Sequence, residues 1–124
     1  MTGIRITTQN VASIIELAEP TLDAMQKAVG GYIERVHPRG LKPPYCMVVN
    51  EEGIILELPI NFAGCMLYQA PWPIVGDLLI LKDGFNADGE PDFVSMEADE
   101  ALELLAELMY KIPLLQAEEA EPDA

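Results

Sequence analysis

Histidine occurs once in this chain, at position 37, and that scarcity narrows the available chemistry more than any other feature. A multi-histidine metal site cannot be assembled within one chain. The glycine-rich dinucleotide fingerprint, the phosphate loop, the H-E-x-x-H zinc helix and the G-x-S-x-G nucleophile elbow are all missing from the sequence. Cysteine occurs only at 46 and 65, in apolar segments, with no C-x-x-C spacing and no histidine beside either residue. This usage predicts two buried thiols and a reducing, cytoplasmic setting, with a single disulfide left open because spacing does not fix the distance between them. Positive charge is scarce as well. Seven Lys and Arg stand against 21 Asp and Glu, a net charge of −14 that repels nucleic-acid phosphates and anionic membrane surfaces. No apolar run approaches the ~20 residues needed to span a bilayer, and no basic stretch leads into an apolar one at the start, so neither membrane insertion nor secretion is expected.

Apolar residues, by contrast, make up 50% of the 124 positions, enough to bury one core and too few positions for a second. The expectation is a single domain over residues 1–115 with a disordered acidic tail over 116–124, where Glu118, Glu119, Glu121 and Asp123 occur with no base. Residues 4–8 and 11–17 are rich in β-branched side chains around Gln9-Asn10, which predicts a first hairpin. Leu22, Met25 and Val29 recur at helical spacing between Pro20 and Gly30, predicting a helix over 20–29. Residues 32–37 alternate as a strand closed by Pro38. Apolar runs at 45–49 and 54–58 flank Asn50-Glu51-Glu52-Gly53 and predict a second hairpin. Residues 59–73 have no period and predict an irregular crossing or a short helical turn. Residues 74–81 end in Leu78-Leu79-Ile80-Leu81, the pattern of a mid-sheet strand buried on both faces. A turn-rich loop over 82–91 follows. Ser95 is the expected N-cap of a helix over 96–111, with Ala98, Leu102, Leu105, Met109 and Ile112 inward and Glu100, Glu103 and Glu107 outward. Together these elements predict an α+β domain whose mostly antiparallel sheet carries two helices on one face.

Few residues stand out as chemistry. Arg35, His37 and Arg39 fall at alternate positions on a strand, so they share a face, and with Lys42 nearby they form the one place where a phosphate could sit. The plainer reading is a solvated strand at a sheet edge. Residues 84–95 resemble a calcium loop with Gly89 at the glycine position, but Gly84 and Ser95 occupy its first and twelfth places, where carboxylates are essential. Carboxylates at helical spacing at 100, 103 and 107 could imitate a row of phosphates, and they equally suit an ordinary solvated helix face. No catalytic set, metal site or cofactor is expected.

Three stretches carry a resemblance: Val29-Gly30-Gly31-Tyr32-Ile33-Glu34 after the helix, Asn50-Glu51-Glu52-Gly53, and Leu58-Pro59-Ile60-Asn61 followed by Ile74-Val75-Gly76-Asp77. In combination they resemble a bacterial and phage family known as domain of unknown function 3846, over approximately residues 20 to 105. The resemblance implies no activity; it implies an origin in phages or other mobile elements and an accessory role. Gly30, Gly31, Gly53 and Pro59 have backbone reasons to be where they are, whereas Tyr32, Glu34, Asn50, Glu52 and Asn61 are polar or aromatic residues on turns and strand ends and are candidates for a binding site. The resulting expectation is a non-enzymatic interaction protein that binds a host protein, a defence component among the options, through an acidic surface. The alternative is a small-molecule binder in which Arg35 and His37, with Arg39, grip a phosphate or nucleotide.

Overall fold

The computed structural model describes residues 1–118. Strands β1 (Thr2–Ile6) and β2 (Val11–Glu16) form the expected first hairpin, with Ile4 opposite Ile14, and lead into helix α1 (Thr21–Val29) and strand β3 (Ile33–Val36). Strand β4 (Tyr45–Asn50) is joined to strand β5 (Leu78–Phe85) through helix α2 (Phe62–Tyr68). Strand β6 (Pro91–Val94), helix α3 (Ala98–Lys111) and strand β7 (Gln116–Glu118) follow. One seven-stranded sheet results, ordered β3-β4-β5-β1-β2-β7, with β6 pairing the far half of β5 beyond the end of β1. Every pairing is antiparallel except that of β2 with β7. The protein is thus an α+β domain with a mostly antiparallel sheet, and among the described residues it has three helices, one more than expected.

The helices do not share a face, and the reason lies in the central strands. Leu78, Leu79, Ile80 and Leu81 of β5 are all fully buried, as are Cys46, Met47 and Val48 of β4. Because successive side chains on a strand point to opposite sides, such runs need a cover on both. Cys46, Val48, Leu79 and Leu81 pack with Met25 and Val29 of α1 on one face. Met47, Val49, Leu78 and Ile80 pack with Ala63 and Leu67 of α2 and with Leu104, Leu105 and Leu108 of α3 on the other. The sheet is therefore the middle of three layers, and the expected pair of helices, α1 and α3, lies on opposite sides of it.

Several local expectations give way to longer-range contacts. Residues 54–58 do not form a strand: Leu56 N–H donates to Glu52 O and Leu58 N–H to Gly53 O, so the run coils into consecutive turns. Both edges of β4 are already taken, by β3 and β5, which leaves residues 54–58 no edge to pair with. Residues 82–85, expected in a loop, extend β5 and pair with β6. In α3 the buried residues are Ala101, Leu104, Leu105 and Leu108, and Leu102 is 60% exposed, so the buried stripe is turned from the one anticipated while keeping helical spacing. Glu97, not Ser95, caps that helix through a capping box with Glu100, and Ser95 Oγ accepts from Thr2 N–H instead. Residues 116–118 pair with β2, where disorder was expected; residues 119–124 of the anticipated tail lie outside the described residues. Cys46 and Cys65 are free thiols whose packing belongs to opposite faces of the sheet, which settles the open disulfide.

Candidate functional site

The three stretches that carry the resemblance meet at the β3–β4 end of the molecule. Gly30 ends α1 with φ of 82°, and Gly31 lies so close to the Asn50 amide that a Cβ there would sit 3.0 Å from its nitrogen. Asn50 is buried, donates to Val29 O at 3.0 Å and accepts from Glu52 N–H at 2.8 Å, tying the end of α1 to the turn after β4. Asn61 has no exposed surface at all. It donates to Ile6 O and Gly76 O and accepts from Gly64 N–H at 3.0 Å, so it caps α2 and staples the crossing to β1 and to the approach to β5. Buried amides need such partners. The candidate residues Asn50 and Asn61 therefore hold the backbone together, and Asn61 presents nothing to a ligand.

What they position is an open groove of about 220 Å³. The β3–β4 corner supplies its floor, with Glu34 and Asn50, and the turns after β4 supply Glu51, Ile54 and Ile55. Tyr68 at the end of α2 and Trp72 close the other side. Gly53 fixes the wall: a Cβ there would meet Val75 at 2.6 Å, so only glycine lets the turn lie this close to the strand approaching β5. The apolar lining is turned outward, with Ile54 57%, Ile55 79% and Trp72 69% exposed, and Trp72 is held between Pro71 and Pro73. Among the described residues, the only charged ones lining the groove are carboxylates, Glu34 and Glu51. Its volume lies below the ~300 Å³ at which small-molecule pockets begin, leaving room for one or two side chains.

The opposite face of β3 is arranged differently. Asp83 accepts an ion pair from Arg35 at 3.5 Å and lies 2.9 Å from His37 Nε2, while the Arg35 guanidinium stacks 4.4 Å from the Phe93 ring. Arg39 is exposed beyond Pro38 and does not join them. Two members of the expected basic patch, Arg35 and His37, are thus turned onto a carboxylate of their own chain, while Arg39 and Lys42 are exposed. Cys46 lies near this cluster, so a cysteine, the histidine and an aspartate are gathered in one region. Burial first, then the neighbouring Asp83 carboxylate, pushes the Cys46 thiol up to about 12, and the fully buried sulfur donates to Leu81 O. A thiol held protonated and out of solvent is not a nucleophile.

The carboxylate row of α3 is also largely occupied. Glu100 accepts from the Tyr45 hydroxyl and from Lys82 Nζ, and Glu107 pairs with Lys111 at 3.2 Å. The Tyr45 hydrogen bond, then that from Lys82, hold Glu100 down to about 2, and burial with the Glu100 carboxylate raises Tyr45 to about 12. Among the described residues no group of three or more His, Cys, Asp or Glu is placed to hold a metal ion, and no helix is long and apolar enough to cross a membrane.

Of the candidate residues, Glu34 and Asn50 line the groove, Tyr32 and Glu52 are exposed near it, and Arg35 and His37 lie across the sheet from it. Sequence reasoning missed Ile54, Ile55, Tyr68 and Trp72. The available signal was Pro71-Trp72-Pro73, a large aromatic fixed on a proline-bounded loop. Fold and groove together define a small three-layer α+β domain with an apolar, acid-flanked cleft at one sheet edge. The model of the family called domain of unknown function (DUF3846) matches residues 1–108, and the chain belongs to that family. The match takes in the first hairpin, which the resemblance over residues 20 to 105 left out. No curated protein and no solved structure matches the chain.

Proposed function

We propose that this domain is a non-enzymatic interaction module that captures a cationic, apolar-anchored segment of a partner protein in the groove beside β3. The observation that carries this reading is the lining itself: an outward-facing Trp72 with Ile54 and Ile55, and, among the described residues, no charge other than Glu34 and Glu51. An apolar side chain gains by covering the aromatic and aliphatic surface. A Lys or Arg beside it meets two carboxylates and the face of an indole. The net charge of −14 adds long-range attraction for such a segment and repels nucleic acid. On this reading the partner is a host protein met by a mobile element, a defence component being one such. The small-molecule alternative has less support, because Arg35 and His37 are already turned onto Asp83.

Selection of a displayed random-peptide library on the full chain tests the proposal. The expected result is enrichment of sequences with Lys or Arg next to a bulky apolar residue, lost with Trp72→Ala and weakened by salt. No enrichment, or enrichment indifferent to Trp72→Ala, overturns it.

A further inference from the structure

The groove lies beside a free sheet edge. β3 pairs with β4 on one side and, among the described residues, with nothing on the other. Its phase follows from two observations. Ile33 lies opposite Asn50, and Tyr32 O accepts from Glu51 N–H at 2.8 Å. In an antiparallel pair hydrogen-bonded and non-hydrogen-bonded positions alternate. The backbone groups of Tyr32, Glu34 and Val36 thus point toward β4, while N–H and C=O of Ile33 and Arg35 point outward. Side chains divide in the same rhythm. Val36 packs with the α2–α3 layer and Glu34 lines the groove, whereas Ile33 packs with the α1 layer and Arg35 stacks on Phe93.

We infer that the partner segment binds as an added strand, running along β3 and hydrogen-bonding to Ile33 and Arg35, with every second side chain falling into the groove. This deepens the proposed function and rests on it. Main-chain hydrogen bonds to an edge supply affinity that is indifferent to sequence, and pockets for alternate side chains supply the choice of partner. The two parts coincide here: residues of the added strand on the Glu34 side reach Trp72, Ile54 and the carboxylates. Those between them face Arg35 and His37, whose side chains are closed on Asp83 and call for small, neutral neighbours. The recognised pattern is therefore basic and bulky apolar residues at alternate positions, with small residues between. A second copy of this chain fits poorly, because each carries −14 and the groove has no positive charge to meet the other's acids. The shortness of β3 and Pro38 just after it limit the pairing to a few residues, the usual protection of a native edge against indiscriminate pairing.

The test uses the tightest peptide from the display selection, synthesised with blocked ends, and two forms of it N-methylated at alternate residues in opposite phases. One phase should lose about tenfold in affinity and the other change by less than about twofold, since only one phase aims its N–H groups at the edge. In the unmodified complex the Ile33 and Arg35 amides should become protected from hydrogen exchange. Equal binding by both methylated forms with those amides unchanged overturns strand addition, and leaves the groove reading standing if Trp72→Ala still abolishes binding. Protection of both amides in the chain alone, with dimer formation, shows a second copy on the edge and overturns the inferred occupant. An empty selection overturns both readings.

Discussion

The two sides of strand β3 carry similar amounts of charge and treat it in opposite ways. On the α1 side, Arg35 and His37 meet Asp83, Arg35 also stacks on Phe93, and both basic side chains have their counterpart within the chain. On the groove side, Glu34 and Glu51 stand beside exposed Ile54, Ile55 and Trp72 with no cation among the described residues lining the same cleft. A charge that is already paired stabilises modestly and binds weakly. One left beside uncovered apolar surface is a place where a second molecule gains both Coulombic and hydrophobic energy. Titratable residues drew attention to the closed side, and only the geometry distinguishes it from the open one.

The contrast breaks most completely if the groove loses its wall. Replacing Asn61 by alanine strands Ile6 O, Gly76 O and Gly64 N–H in a site without solvent. At ~1–3 kcal/mol for each buried group left without a partner, partly relieved by relaxation, Asn61→Ala should cost about 3–5 kcal/mol in urea denaturation. A loss below about 1 kcal/mol would show that the crossing is held by other contacts.

Next in size is the pH dependence of a closed pair elsewhere. Glu100 is held near 2 against an ordinary 4.5, chiefly by Tyr45 and then by Lys82. A carboxylate depressed on folding contributes stability that is complete above about pH 4.5 and is lost as pH falls toward about 2. With the side chain 20% exposed, solvent screening reduces that contribution to on the order of 2 kcal/mol. Glu100→Gln should therefore be less stable than the parent chain at neutral pH and nearly equal to it at about pH 2, measured by chemical denaturation at both.

A smaller effect belongs to the closed side of β3 itself. Asp83→Asn removes the counterpart of Arg35 and His37, groups 34% and 61% exposed, and should cost about 1 kcal/mol at low salt and less at high salt. It should not alter peptide binding in the groove. A large loss of binding would mean that the two sides of the strand are coupled.

How much of this was legible in the sequence differs by element. The continuous run Leu78–Leu81 announced a strand buried on both faces, and the spacing of Met25 and Val29 announced α1, because both signals are local and strong. The same run implied layers on both sides of the sheet, a consequence that placing both helices on one face overlooked. Residues 54–58 misled because β-branched apolar residues near a turn promise a hairpin, whereas the partner edges of β4 were claimed by strands distant in sequence. Asn50 and Asn61 stand out in the sequence for their polarity. Their work is done on backbone groups of Val29, Ile6 and Gly76, which no sequence pattern identifies. The groove was illegible for the same reason: its lining comes from β3, the end of β4, the turns after it, the end of α2 and the Trp72 loop, segments that only the closed fold brings together.

The smallest stability effect is the most discriminating. Trp72 is 69% exposed on a loop bounded by prolines, so its truncation removes little buried surface from the folded chain and should change the unfolding free energy by no more than about 0.5 kcal/mol. A tryptophan serving the fold would instead cost about 3–5 kcal/mol. If Trp72→Ala leaves stability untouched while peptide capture disappears, the indole is there for something outside the chain. If stability falls by several kcal/mol, the aromatic wall of the groove belongs to the core and the open side of β3 is as self-contained as the closed one.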